Sequence, residues 1–185
     1  MSWIQEIHSP EPGTPLDAAY QRLVQERGRV ANILRVHSLR PEAMLHHLDL
    51  YMGLLFGPGG LNRRQRELIA VVVSRANSCE YCVSHHREAL SRYLKDEAVL
   101  DAVCAEFRGA PLAEADQALA TYADKLTRDP SSIAPGDLDA LRTAGFSDAD
   151  LLLCNLIAAY FNFVNRIALG LGVSHDADEV AGYRY

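Results

Sequence analysis

The sequence predicts an all-α fold for this chain of 185 residues. Apolar residues recur at intervals of three and four through most of the chain, which is the spacing of one face of an α-helix. We find no run of alternating β-branched residues bounded by turn residues, so no strand is predicted. Short segments rich in Gly and Pro separate the helical stretches. We therefore expect one helical bundle, a single domain spanning residues 1–185.

Local chemistry places the individual helices. Pro41 suits the first position of a helix, where its missing N–H group is not needed. Asn62 and Ser147 precede Gln65 and Asp150 by three residues, a pattern in which the side chains cap a helix N-terminus. We expect an N-terminal arm over residues 1–14, followed by helices over 15–27, 30–37, 41–55, 63–76, 79–94, 96–107, 113–127, 136–143 and 148–171.

Composition and charge exclude several classes of function. The chain is 49% hydrophobic and 23% charged, as globular proteins are, and its formal net charge is −6. A negative net charge repels phosphate backbones, so nucleic acid and anionic membranes are not expected partners. The N-terminus lacks a charged segment followed by an apolar one, so it does not resemble a secretory signal, and we expect a cytoplasmic protein.

The most apolar part of the chain is the long C-terminal helix, over residues 147–173. Its apolar stretch, 151–164, is interrupted by Asn155 and Asn162 and is shorter than the roughly 20 residues of a membrane-spanning helix. The centre of this helix is apolar on nearly every side, so one-sided packing would leave apolar surface exposed to water. Burial in a homo-oligomer and burial among neighbouring helices of the same chain both satisfy this pattern.

Two cysteines and a histidine provide the chemistry. Cys79, Cys82 and His86 stand at positions i, i+3 and i+7 of a predicted helix and share one face. If Asn77 or Ser78 caps this helix, its N-terminus favours thiolate over thiol. His86, one turn beyond Cys82, could accept the proton of that cysteine, which makes Cys82 the expected nucleophile.

A carboxylate on the preceding helix completes the predicted site. Glu67 lies among apolar residues, and a buried carboxylate there requires a hydrogen-bonded partner. A hairpin of two helices over residues 62–94 would fold Glu67 back toward the cysteine helix, where it could orient His86. The expected catalytic residues are therefore Cys82, Cys79, His86 and Glu67.

This arrangement resembles a known active-site signature. The pattern of Glu67, eleven residues, Cys79-x-x-Cys82, three residues and His86 resembles that of the alkylhydroperoxidase AhpD family, in the carboxymuconolactone decarboxylase-like superfamily. Further segments over roughly residues 15 to 173 resemble the peroxidase-related branch: Leu61-Asn62-Arg63, Glu67-Leu68-Ile69-Ala70, Lys125-Leu126-Thr127-Arg128-Asp129-Pro130 and Asn162-Phe163-Val164-Asn165-Arg166.

The resemblance implies an AhpD-like helical subunit that assembles into trimers or hexamers and reduces hydroperoxides as an antioxidant enzyme. It implies that Cys82 attacks the peroxide, that Cys79 resolves the product as a disulfide, and that Glu67 and His86 relay protons. It also implies a dithiol or lipoyl-type partner protein as the reductant, with no cofactor or metal. The family carries a second relay histidine where this chain has Tyr81, whose hydroxyl is the poorer proton shuttle near neutral pH.

Other readings of the same residues stay open. Cys79, Cys82, His86 and Glu67 could bind zinc, or the cysteine pair could act as a redox sensor without turnover. A carboxymuconolactone decarboxylase-like reaction is disfavoured, because it does not need two cysteines. His85 is expected on the surface as a secondary candidate base, Cys104 and Cys154 are expected to be buried thiols, and the arginine cluster at 63, 64 and 66 is expected to be solvated.

Overall fold

The computed structural model describes residues 2–175 and 179–180. Within these ranges the chain forms nine α-helices and no strand, which confirms the predicted fold class. The helices are α1 (Pro15–Arg27), α2 (Asn32–Arg35), α3 (Pro41–Phe56), α4 (Arg63–Ala76), α5 (Glu80–Ser91), α6 (Glu97–Glu106), α7 (Glu114–Arg128), α8 (Pro135–Thr143) and α9 (Asp148–Gly170).

The capping residues act as the sequence predicts at two helix starts. The Asn62 side chain accepts a hydrogen bond from the Gln65 backbone, and the Gln65 side chain accepts one from the Asn62 backbone. Ser147 and Asp150 form the same reciprocal pair at α9. Each pair satisfies N–H groups that the first turn of a helix leaves without a partner.

Two predicted helices are shorter than expected. The helix predicted over 30–37 is a single turn, and its C-terminal end continues as tight turns in which His37 N–H donates to the Leu34 carbonyl. The helix predicted over 79–94 ends at Ser91, because Tyr93 N–H donates to the Leu90 carbonyl three residues back. Such i to i+3 bonds often tighten the last turn of an α-helix.

Helix α4 lies at the centre of the bundle. Ten consecutive residues of α4, from Gln65 to Ser74, are buried, and the helix packs against α5, α7 and α9. A smaller apolar cluster joins α1 to α3 through side chains that include Leu23 and Leu48. The candidate site described below lies where α1, α3, α5 and α9 meet.

Helix α9 is buried on one side by its own chain and exposed on the other. Ile157 and Phe161 are buried, whereas Leu152, Leu156 and Phe163 are exposed. By length and composition α9 alone among the described helices could cross a membrane, but half of its most apolar window is buried inside the protein. Such burial is typical of the core helix of a soluble protein.

Candidate active site

A sharp turn between α4 and α5 brings the predicted residues together. Ser78 adopts a left-handed conformation with φ 56°, and Cys79 becomes the N-cap residue of α5. The prediction that Asn77 or Ser78 caps this helix is wrong, because no side chain caps α5. The Asn77 amide instead donates hydrogen bonds of 3.0 Å to Asn162 and to Asn165 on α9. The turn is thereby tied to the long C-terminal helix.

The two cysteines at the start of α5 are buried, reduced and close enough to interact. Cys79 is 1% exposed and Cys82 is 2% exposed. The hydrogen bond between the two side chains lowers the pKa of Cys79 and, together with burial, raises the pKa of Cys82 well above its usual value. Negative charge on the pair is thus held mainly by Cys79.

Polar side chains from α4 and α9 also face the sulfur atoms. Hydrogen bonds from Asn165 lower the pKa of both cysteines, and one from Ser74 lowers the pKa of Cys82. The Asn165 amide donates to the Ser74 hydroxyl at 3.2 Å, and both residues are fully buried. Asn165 lies more than eighty residues from the cysteines in sequence, and no spacing pattern pointed to it.

The predicted contact between Glu67 and His86 is present. Nδ1 of His86 lies 2.6 Å from Oε2 of Glu67, which is completely buried. Nε of Arg63 donates to the other carboxylate oxygen at 2.9 Å. Burial alone raises the pKa of Glu67, but the charges and hydrogen bonds of His86 and Arg63 outweigh it and lower that pKa overall. Glu67 is therefore a carboxylate with both oxygens engaged.

A cavity of about 80 Å³ gives access to one cysteine of the pair. Cys82 and His86 contribute to its wall, whereas Cys79 does not. The other walls are largely aromatic, from Tyr51, Tyr160 and Phe161, and the Phe161 ring meets the His86 ring edge-on at 4.5 Å. A small molecule that enters the cavity would meet Cys82 before Cys79.

Tyr81 and His85 belong to a second polar cluster. The Tyr81 hydroxyl donates to Glu179 at 2.8 Å and accepts from the Ile33 N–H at 3.1 Å. His85 packs against the Tyr81 ring at 4.3 Å, and its side chain is 11% exposed, so the predicted partly exposed histidine is covered more deeply than the sequence indicated. The His175 ring lies 5.2 Å from that of His85. Burial of this cluster depends on chain segments that are distant in sequence.

A third histidine lines the cavity. Nε2 of His47 and the hydroxyl of Tyr160 are hydrogen bonded at 2.8 Å. Burial lowers the pKa of His47 to about 3, so its ring is neutral at physiological pH. The neighbouring His46 is exposed. Adjacent histidines on α3 therefore have different environments, which the sequence alone does not distinguish.

Of the two remaining cysteines, Cys154 is buried as predicted, whereas Cys104 is only partly buried. Burial raises the pKa of Cys104 to about 11 and that of Cys154 to about 12. Across the described ranges, no three His, Cys, Asp or Glu side chains are arranged to hold a metal ion. Both oxygens of Glu67 are also engaged by Arg63 and His86, so the geometry does not support the zinc alternative.

The prediction of a solvated arginine cluster at the start of α4 is wrong. Arg63 pairs with Glu67, and Arg64 pairs with the buried Asp116. Arg66 is 4% exposed and donates to three backbone carbonyls, those of residues 54, 57 and 61. The four-residue spacing of Arg63 and Glu67, typical of a helical ion pair, is the signal that could have revealed this partner.

Comparison with known proteins identifies several relatives. Residues 41–123 match the carboxymuconolactone decarboxylase family. An uncharacterized peroxidase-related protein from a Silicibacter species superposes with a TM-score of 0.88 at 26% sequence identity, covering 99% of this chain and 96% of that one. An uncharacterized peroxidase-related protein with an alkylhydroperoxidase AhpD core, from Ralstonia eutropha, gives 0.85 at 27% identity, covering 97% and 94%.

A more distant likeness extends to an enzyme with a named activity. The debrominase Bmp8 superposes with a TM-score of 0.77 at 20% identity, covering 97% of this chain and 96% of that chain. A variant of that debrominase is known in complex with 2,3,4-tribromopyrrole. At this identity the likeness shows a shared fold. No functionally curated protein matches the sequence significantly.

Proposed function

Residues 41–123 form a carboxymuconolactone decarboxylase family domain within an AhpD-like fold, and on that premise we propose that the protein is a thiol-dependent peroxidase. The family resemblance read from the sequence is thereby confirmed. In the proposed reaction, Cys79 and Cys82 supply two electrons to a hydroperoxide and become a disulfide. His86, held by Glu67, supplies the proton that the leaving oxygen needs.

One observation carries this proposal. His86 is held by the buried carboxylate of Glu67 at 2.6 Å, and it lines the same cavity as Cys82. A buried carboxylate fixes the orientation of an imidazole and stabilises its protonated form. Such an imidazolium can donate a proton to an oxygen atom that leaves during attack at the neighbouring sulfur.

The proposed chemistry begins with a proton transfer between the cysteines. When the pair loses one proton, the opposite pKa shifts of the two cysteines favour the charge on Cys79, but Cys82 is the cysteine that faces the cavity. The proton of Cys82 therefore moves to Cys79, and the new Cys82 thiolate attacks the distal oxygen of the hydroperoxide. The O–O bond breaks, the alkoxide takes a proton from His86 and leaves as an alcohol, and Cys82 becomes a sulfenic acid.

Cys79 then completes the reaction. Its sulfur attacks that of Cys82 and gives up its proton, the S–O bond breaks, and the hydroxide leaves as water. In sum, one thiol, one thiolate, the proton of His86 and one hydroperoxide give a disulfide, an alcohol and water. His86 regains its proton when a dithiol reduces the disulfide and releases two protons, of which one returns to the cysteine pair. Both cysteines are at the start of one helix, so the disulfide can form within a single turn.

The test is steady-state turnover of hydrogen peroxide and an alkyl hydroperoxide in the presence of a dithiol. We expect Cys82→Ser to abolish turnover, and Glu67→Gln to lower kcat about a hundredfold by removing the charge that holds His86. Cys104→Ser and Glu97→Gln change the same residue types outside the cavity, and Glu97 is an exposed carboxylate paired with Arg87, so both should leave turnover unchanged. Undiminished turnover in Cys82→Ser would contradict the proposal.

The electron donor we propose is a dithiol or lipoyl group on a partner protein, in the cytoplasm, where thiols are kept reduced. A lipoyl group is suited to this role because it ends in two thiols that close into a ring as they reduce a disulfide. A reaction that stops after one equivalent of peroxide, with abundant dithiol present, would instead indicate a redox sensor.

The aromatic cavity supports a second candidate function, reductive dehalogenation. The cavity of about 80 Å³ is too small to enclose a halogenated ring, so only the halogen-bearing edge of the ring would enter between Tyr51, Tyr160 and Phe161, next to Cys82. The same two thiols would supply the electrons: the carbon–halogen bond breaks, a proton takes the halogen's place, and a halide ion and a disulfide are released. Bromide release from 2,3,4-tribromopyrrole in the presence of a dithiol tests this function, and its absence would exclude that substrate.

A further inference from the structure

Arg27 is a buried cation in the wall of the cavity that contains Cys82. It lies in the last turn of α1 and is 7% exposed. Its guanidinium carbon lies 4.8 Å from the centre of the Phe56 ring and 5.2 Å from that of Tyr51. Its one hydrogen bond to a described residue is a long contact of 3.4 Å to the Tyr51 hydroxyl. No carboxylate in residues 2–175 or 179–180 pairs with it.

The three arginines of α4, unlike Arg27, have carboxylate or carbonyl partners among the described residues. Arg63 pairs with Glu67, Arg64 pairs with Asp116, and Arg66 donates to three carbonyls. A guanidinium has five N–H donors, and a buried charge without an anionic partner is unfavourable. Contacts with the two aromatic rings offset part of this cost, but within residues 2–175 and 179–180 most of the Arg27 N–H donors have no acceptor.

The other ionisable groups around the cavity do not neutralise Arg27. Both oxygens of Glu67 are bound by Arg63 and His86. His47 is neutral, because burial lowers its pKa to about 3. Arg27 acts on the pKa of Tyr51 and Tyr160, whereas the side chains that dominate the pKa of Cys82 are those of Cys79, Asn165 and Ser74. Arg27 thus lies on the side of the cavity that Tyr51 and Tyr160 form, and no described residue compensates its positive charge.

We propose that Arg27 binds the carboxylate of a small organic acid, which places the other end of that molecule toward Cys82. Planar guanidinium matches the two oxygens of a carboxylate and can bind both at once. The cavity of about 80 Å³ is smaller than the 150 Å³ or so that accommodates benzene, so it favours a short chain over a long acyl tail. This step rests on the proposed function: for a thiol peroxidase with this cavity, the substrate class is a short hydroperoxide that carries a carboxylate.

A protection experiment tests this without any peroxide. Butyrate and butyramide have nearly the same shape and differ in charge, and either should slow the alkylation of Cys82 by iodoacetamide if it occupies the cavity. Peptide mass spectrometry reads the modification of Cys82 itself. We expect butyrate to halve the rate at a concentration about tenfold lower than butyramide, as a charge-assisted hydrogen-bonded pair allows.

Three variants locate the effect. Arg27→Met should remove the preference for butyrate, and Arg27→Lys, which keeps the charge but loses the planar fork, should retain about a threefold preference. Arg22→Met removes a cation from the exposed side of the same helix, where Arg22 pairs with Glu26 and Asp49, and should leave the preference unchanged.

Equal protection by the two probes in the unmodified protein would overturn the proposal, as would a full preference in Arg27→Met. If Arg27→Met does not fold, Arg27→Lys decides in its place. A fall of the preference from tenfold to about threefold supports the proposal, and an unchanged tenfold preference contradicts recognition by the guanidinium. Absence of peroxide turnover alongside a clear butyrate preference would reject the proposed function and leave the acid site standing.

Discussion

At the scale of single residues, a nucleophile must carry negative charge and be accessible to its substrate, and different cysteines meet these two requirements. Cys79 at the N-cap position of α5 holds the negative charge, and Cys82 one turn later faces the cavity. In the proposed mechanism, a short proton transfer between the two sulfur atoms lets the accessible cysteine become charged when a substrate is present. Buried Asn165 and Ser74 favour the charged forms by donating hydrogen bonds.

This division predicts how Cys79 titrates. The Cys82 hydrogen bond is the main cause of the lowered pKa of Cys79, so Cys82→Ala should raise that pKa. A higher pKa means that the thiolate of Cys79 appears only at higher pH, and alkylation of Cys79 should shift in the same direction. The measurement is the rate of iodoacetamide modification of Cys79 as a function of pH.

A control separates this effect from a general change in the fold. Cys104→Ala removes a thiol that does not contact the pair and should leave the titration of Cys79 in place. A titration of Cys79 that stays unshifted, or moves to lower pH, in Cys82→Ala would contradict the assignment of charge within the pair.

At the scale of elements, the short helix α2 is held by the C-terminal segment. The N-cap residue of α2, Ala31, makes no side-chain capping hydrogen bond. The Asn32 backbone N–H donates instead to the Glu179 carboxylate, from a distant part of the chain, at 2.8 Å. The same carboxylate oxygen accepts from the Tyr81 hydroxyl on α5. Glu179 is 1% exposed, so one buried side chain links the end of the chain to α2 and α5. A negative charge at a helix N-terminus is also favourable for the helix dipole.

This link predicts a loss of stability in Glu179→Ala. Removing the carboxylate leaves the Asn32 N–H and the Tyr81 hydroxyl without this acceptor, and the expected cost is about 1–3 kcal/mol in the free energy of unfolding. Urea denaturation measures it. Glu97→Ala, on an exposed ion pair with Arg87, should change stability by less than about 0.5 kcal/mol.

The contact between Glu179 and Tyr81 can be isolated with a double-mutant cycle. Tyr81→Phe and Glu179→Ala together should cost less than the sum of the two single changes, since each removes the same hydrogen bond. Strict additivity of the two changes would show that the tail and α5 are not coupled through this contact.

At the scale of the whole molecule, one side of α9 presents apolar side chains to solvent. Leu152, Leu156 and Phe163 are between 42% and 60% exposed, and they stand at positions i, i+4 and i+11 of the same helix. A row of exposed large apolar side chains along one helix is a feature of protein interfaces. We propose that copies of this chain pack on that side of α9 to form the expected trimer or hexamer.

The assembly is open to a direct test. Leu156→Glu places a charge in the middle of the exposed row and should shift the protein toward smaller species, measured as molar mass by light scattering after size exclusion. Leu39→Glu substitutes an equally exposed leucine that lies outside α9 and should leave the molar mass unchanged. A wild-type protein that is monomeric at all concentrations would rule out the proposed interface.

The positions of the helices and the spacing of the reactive side chains along them could be predicted from the sequence. Periodicity and capping chemistry are local, so the starts of α4 and α9 follow from Asn62 and Ser147 and their partners three residues on. The spacing of Cys79, Cys82 and His86 along one helix is equally local. Burial of Glu67 could be read from its apolar neighbours, and its need for a partner followed.

The side chains that surround this motif from distant parts of the chain became known from the packing of the helices. Asn165 reaches the cysteines, Glu179 reaches Tyr81, and Arg27 enters the cavity across long stretches of chain. No periodic pattern records such contacts, because they depend on how whole helices cross. For the same reason the sequence did not predict how deeply His85 is covered, because burial of a side chain at the edge of a helix depends on the segment that packs over it.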